Sequence, residues 1–108
     1  MSKIKQISVK EYAKIQTQPD PPELIDVRDR WEFNLAHVPT AQLKPLGQIY
    51  EWAKQLDKTK HYVLVCHHGG RSQMACEYLA SLGVANVSNL VGGTHACAIE
   101  IDPTMAKY

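Results

Sequence analysis

The sequence predicts an α/β fold of three layers, in which a mainly parallel sheet of about five strands carries helices on both faces. Two observations support this. Short β-branched runs alternate along the chain with segments of helical periodicity, as parallel strands joined by crossover helices require. The run Tyr62-Val63-Leu64-Val65 is also apolar without a break, the pattern of a strand covered on both sides. A chain of 108 residues suffices for one such core, so a single domain over residues 1–108 is expected.

From the amino end, residues 3–7 read as a short strand. Ser8, with Glu11 three residues later, has the spacing of a capping box, and Val9, Tyr12, Ala13 and Ile15 give the following helix an apolar face. Pro19-Asp20-Pro21-Pro22 turns the chain. Leu24-Ile25-Asp26-Val27 is a buried strand whose acid marks its carboxyl end. Asp29 then caps a brief helical turn through Trp31, Glu32 and Phe33, and residues 36–41 form an extended piece shaped by Pro39. Leu46, Ile49, Tyr50, Ala53 and Leu56 recur at helical spacing, which predicts one helix over residues 45–56. Trp31, Phe33 and Trp52 are expected in the core or in a pocket wall. Beyond the central strand, Met74, Ala75, Tyr78, Leu79 and Leu82 mark an amphipathic helix ended by Gly83. Residues 87–91 are a further strand, and Gly92-Gly93 turns into a last helical segment from 94 to about 101.

Composition narrows the partners. Twelve Lys and Arg against eleven Asp and Glu leave a formal net charge of +1, without the basic excess of a nucleic-acid binder. No apolar stretch approaches the ~20 residues of a membrane span, and residues 1–10 lack the apolar run of a secretory signal. Three cysteines, spaced by ten and twenty-one residues, suit neither a disulfide framework nor paired zinc ligands, which favours a reducing, cytoplasmic setting. No metal, cofactor, nucleic acid or membrane partner is expected, and the chain is expected to be a monomer or weak homodimer.

The chemistry is expected in Cys66-His67-His68-Gly69-Gly70-Arg71-Ser72, between the best strand and the best helix. A thiol there lies at the positive end of a helix, beside unpaired backbone amides and the permanent charge of Arg71, all of which favour thiolate. Gly69 and Gly70 allow the loop to curl its amides into a bowl around the sulfur. Asp26 ends its strand on the same sheet edge, where open α/β sheets bind ligands. Cys76 and Cys97 fall in helical segments and read as packing residues. Arg28 and Asp29 read equally well as a solvated surface pair, and His67 and His68 as loop residues that add charge below about pH 6.5.

Four segments together resemble the rhodanese-like domains. Leu24-Ile25-Asp26-Val27-Arg28, then Trp31-Glu32-Phe33 with His37-Val38-Pro39-Thr40-Ala41, resemble the family's first signature region. Val65-Cys66-His67-His68-Gly69-Gly70-Arg71-Ser72 is similar to its active-site loop, and Leu90-Val91-Gly92-Gly93 to the turn before its last helix. The resemblance implies a sulfurtransferase in which Cys66 carries a persulfide, taken from a small anionic donor such as thiosulfate. The acceptor it implies is thiophilic: cyanide, a small thiol or a protein thiol. His67 through Ser72 would cradle the sulfur, Arg71 would help bind the donor, and Asp26 and Arg28 would support the site. Two positions depart from the pattern: Thr40 stands where glycine is usual, and His95-Ala96 where an aromatic commonly follows the glycine pair. The rival readings are a non-catalytic sulfur-carrier or interaction module and a Cys-dependent phosphatase or arsenate reductase. Only four residues separate Cys66 from Arg71, a ring better suited to one sulfur than to a phosphoryl group.

Overall fold

The computed structural model describes residues 4–96. Its elements, in order, are β1 (Lys5–Ile7), α1 (Val9–Ile15), β2 (Glu23–Asp26), α2 (Arg30–Leu35), β3 (Gln42–Leu43), α3 (Ile49–Trp52), β4 (His61–Val65), α4 (Gly70–Ser81), β5 (Asn86–Leu90) and α5 (Gly93–Ala96). The strands form one five-stranded sheet in the order β1-β5-β4-β2-β3, and every pairing is parallel. The expected architecture is present. The last helical segment was expected to run to about residue 101, and its part beyond Ala96 lies outside the described residues.

Alternation along β4 divides the core in two. Tyr62 and Leu64 face α3 and α4, joined by Trp52, Ala75, Cys76 and Leu79. Val63 and Val65 face the other way, against Val9 and Tyr12 of α1 and the partly buried Val38 and Ala41. A one-residue slip would exchange these faces, so this strand has a single usable register. Cys66, next after Val65, falls on the α4 side by the same alternation.

Local chemistry accounts for the helix ends. Ser8 Oγ accepts the Glu11 amide at 3.1 Å while Glu11 Oε1 accepts the Ser8 amide at 3.1 Å, the reciprocal box its spacing predicts. At the end of α4, Val84 N–H reaches Leu79 O at 3.2 Å and Gly83 N–H reaches Ala80 O at 3.1 Å, with Gly83 at φ +94°. That is a Schellman stop, and it needs a residue at ease with positive φ.

Three expectations change. Residues 45–56 are not one helix: they make a 3-10 turn at Leu46–Gln48, the single turn α3, and a second 3-10 turn at Ala53–Gln55. The Pro45 carbonyl, which an α-helix would offer to the Ile49 amide, accepts the Gln48 amide at 3.0 Å and Trp52 Nε1 at 2.8 Å, so the segment opens as a 3-10 turn. Residues 36–41 begin extended at Ala36, and Ala41 N–H closes a turn onto Val38 O at 2.9 Å before pairing with β2 begins at Gln42. Trp31 is 63% exposed, not in the core. Met74 is likewise exposed: the buried face of α4 is Ser72, Ala75, Cys76 and Leu79, a helical stripe that includes a serine and a cysteine.

Candidate active site

Parallel register brings Asp26 level with Val65, so the carboxyl ends of β2 and β4 open side by side and Cys66 emerges between them. The chain then turns sharply through Gly69, at φ +109°, and enters α4. Gly69 N–H donates to Cys66 Sγ at 3.0 Å, and Ser72 Oγ lies 3.4 Å from the same sulfur. The expected bowl of amides is thus narrower in this state: one amide and one hydroxyl touch the sulfur, at the positive end of a twelve-residue helix. Only Gly69 needs glycine's angles, since a Cβ on Gly70 would meet nothing within 4 Å and its φ is ordinary. Cys66 is 2% exposed, with apolar neighbours beneath it and hydrogen-bond donors above.

The loop is held from three directions. From β5, buried Asn89 accepts the Ser72 hydroxyl through Oδ1 and donates through Nδ2 to Gly69 O at 3.2 Å. From α5, Thr94 N–H reaches Cys66 O at 2.8 Å and His95 N–H reaches His67 O at 3.1 Å. From α2, Glu32 accepts Arg71 Nη1 at 2.7 Å and Nη2 at 2.8 Å while its Oε1 also accepts the Asp29 amide at 3.1 Å. This fork on a buried carboxylate is the geometry that most strengthens an Arg pair. Arg71, expected as a donor-binding cation, is therefore engaged with Glu32.

Gly93 permits the closest of these approaches. A Cβ there would sit 2.1 Å from Cys66 O and 2.5 Å from His67 O, with φ at +59°. Neither backbone atom can yield without moving the loop. Gly93→Ala is therefore expected to cost ~2 kcal/mol or more, measured by chemical denaturation. An unchanged midpoint would mean that α5 does not clamp the loop.

Asp26 and Arg28 occupy a place that sequence spacing did not disclose. Both are wholly buried, and Arg28 Nε and Nη2 bind the Asp26 carboxylate at 2.7–3.0 Å. Arg28 also donates to Ala36 O at 2.6 Å and approaches Thr94 Oγ1 at 3.5 Å. The alternative of a solvated Arg28 and Asp29 pair is overturned: Arg28 turns inward to Asp26 while Asp29 is exposed. The pair joins β2 to the segment after α2 and to α5, beneath the loop.

His67, His68 and His95 gather beside the loop, with ring centroids 4.1, 5.0 and 5.5 Å apart. Thr40, the other departure, is exposed and meets Tyr12 Oη at 3.3 Å. Cys76 is fully buried, and burial pushes its thiol up to about 12, with negative charge at Cys66 and Glu77 adding to the shift. Such a thiol stays protonated at neutral pH and serves packing. Cys97 lies outside the described residues. Sequence reasoning missed Glu32 and Asn89 as parts of the site. Glu32 stood at the capping-box distance from Asp29, but nothing local showed that it faces Arg71.

Fold and site together define an α/β domain that presents one cysteine from the end of its central strand to the head of the next helix. The chain belongs to the rhodanese-like domain family, whose model matches residues 8–100. It is 33% identical over 112 residues to the chloroplastic rhodanese-like/PpiC domain-containing protein 12 of Arabidopsis thaliana, covering 97% of this chain and 38% of that protein. Against adenylyltransferase and sulfurtransferase MOCS3 of Drosophila yakuba it is 36% identical over 117 residues, covering 100% of this chain and 25% of that one. A rhodanese-like domain protein from Staphylococcus aureus superposes with a TM-score of 0.83 at 28% identity, covering 97% of this chain and 99% of that one. The chain thus spans well under half the length of these two curated relatives. Among the described residues no helix is long and apolar enough to cross a membrane.

Proposed function

We propose that this chain is a sulfurtransferase in which Cys66 takes sulfane sulfur from a donor such as thiosulfate and passes it to a thiophilic acceptor. The observation that supports this best is the Gly69 N–H donated to Cys66 Sγ at 3.0 Å at the head of α4. In the first half-reaction the Cys66 thiolate attacks the outer sulfur of thiosulfate. A new S–S bond forms, the donor's S–S bond breaks, and sulfite leaves with the electron pair. In the second half-reaction an acceptor thiolate or cyanide attacks the outer sulfur and Cys66 departs as thiolate. Dipoles fixed in advance stabilise the negative sulfur at both stages without rearranging. A relative named as a sulfurtransferase supports the reading, while thiosulfate as donor and a protein or small thiol as acceptor are part of the proposal.

Intact-protein mass spectrometry after thiosulfate treatment tests it. One added sulfur, about 32 Da, is expected on Cys66, and cyanide or dithiothreitol should remove it. A protein that gains no mass from thiosulfate or from an organic thiosulfonate is not a sulfurtransferase of this kind.

A further inference from the structure

Among the described residues, the buried charges around Cys66 fall into two ion pairs. Asp26 is paired with Arg28 at 2.7 Å and Glu32 with Arg71 at 2.7 Å, two cations against two anions. Lys44 beyond β3, with Asp29 and Arg30 at the start of α2, is partly or wholly exposed, where water and salt screen charge. Among the described residues, the side chains beside the loop, other than Cys66 itself, whose charge can change near neutrality are His67 and His68 of the loop and His95 of α5. Their ring centroids are within 5.5 Å of one another, and the His95 amide is bonded to the His67 carbonyl at 3.1 Å. His95 Nδ1 is buried without a hydrogen-bond partner among the described residues, so one polar atom of the cluster has its capacity to bond unspent.

We propose that His67, His68 and His95 form an anion-recognition rim switched by protonation, so that acid selects doubly charged sulfur donors over singly charged ones. The inference rests on the sulfurtransferase reading and names the feature of the donor that the site senses. Imidazole changes charge between about pH 5 and 8. Burial holds His67 below its ordinary range, and charge on His68, His95 or Arg28 lowers it further while Glu32 pulls it up. His67 therefore takes up its proton only below the range of an ordinary imidazole. Above neutrality the two ion pairs add little net charge beside Cys66, and the ratio of the rates for a dianion and a monoanion has its baseline value. Each added proton then favours the donor with the extra negative charge.

Persulfide loading of the whole chain, followed by intact mass, gives a second-order rate constant for thiosulfate, a dianion, and for benzenethiosulfonate, a monoanion. Their ratio cancels the titration of Cys66, which is common to both. The ratio is expected to rise roughly five-fold between about pH 8 and pH 5.5 in the native protein. It is expected to stay nearly flat in the combined variant H67Q, H68Q, H95Q. Should that variant load neither donor, the single change His68→Gln, at an exposed side chain, is expected to lessen the rise. A flat ratio in the native protein, or a rise that survives removal of the rings, overturns the inference while leaving the sulfurtransferase reading in place. If neither donor loads the native protein, both readings fail together.

Discussion

Cys66→Ala is expected to abolish the persulfide and to lower thiocyanate formation by about a thousandfold or more, because no other described thiol can take its place. Cys76 is buried, and its thiol is pushed up to about 12, so it supplies almost no thiolate. The two small replacements at position 66 should differ in stability. Alanine leaves the Gly69 amide pointing at a methyl group, a buried donor without an acceptor, at a cost of about 1–3 kcal/mol. Cys66→Ser restores an acceptor and should unfold later than Cys66→Ala, while remaining as inactive. Equal activity of Cys66→Ser and the native chain would move the chemistry to another residue.

Arg28→Ala is expected to give the largest loss of stability of any single change at the site, about 3–5 kcal/mol, because it strands the Asp26 carboxylate in a wholly buried position. Domains of this size are held by about 5–15 kcal/mol, so the variant should be largely unfolded well below the native transition temperature. Arg28→Lys should recover little, since an ammonium cannot hold both oxygens of Asp26 and reach Ala36 O at once. Thermal unfolding followed by circular dichroism checks this. A transition within a degree or two of the native one would show that the pair contributes nothing net.

What could be read from the chain was what local chemistry determines. The unbroken apolar run to Val65, the glycine at 69 and the helical stripe after it are properties of neighbouring residues, and they placed Cys66 at the end of a strand and the start of a helix. The same holds for Ser8 with Glu11 and for Gly83. What stayed hidden depends on pairs far apart in sequence. Arg28 follows a strand as an exposed basic residue often does, and its burial arises from Ala36 and Thr94, brought over it by the turn after α2 and by α5. Glu32 and Arg71 are joined only once β2 and β4 lie side by side. Asn89 is one polar residue in a short strand, and only the fold shows that β5 is interior and that its amide props the loop. The helix over residues 45–56 failed for a related reason: its periodicity was real, and Ile49, Trp52 and Ala53 are buried, but the Pro45 carbonyl is shared between the Gln48 amide and the Trp52 indole, which the sequence does not show.

The scant exposure of Cys66 affects more than the transfer step. A sulfur sheathed in this way is hard for peroxide and other stray electrophiles to find, so the resting protein should resist over-oxidation better than a surface thiol. In the proposed sulfur-carrying form, the outer atom would be the part of the site that a visitor meets first. Discrimination among visitors is then decided by how deeply their own thiol can project, which favours a slender tip over a broad, blunt surface.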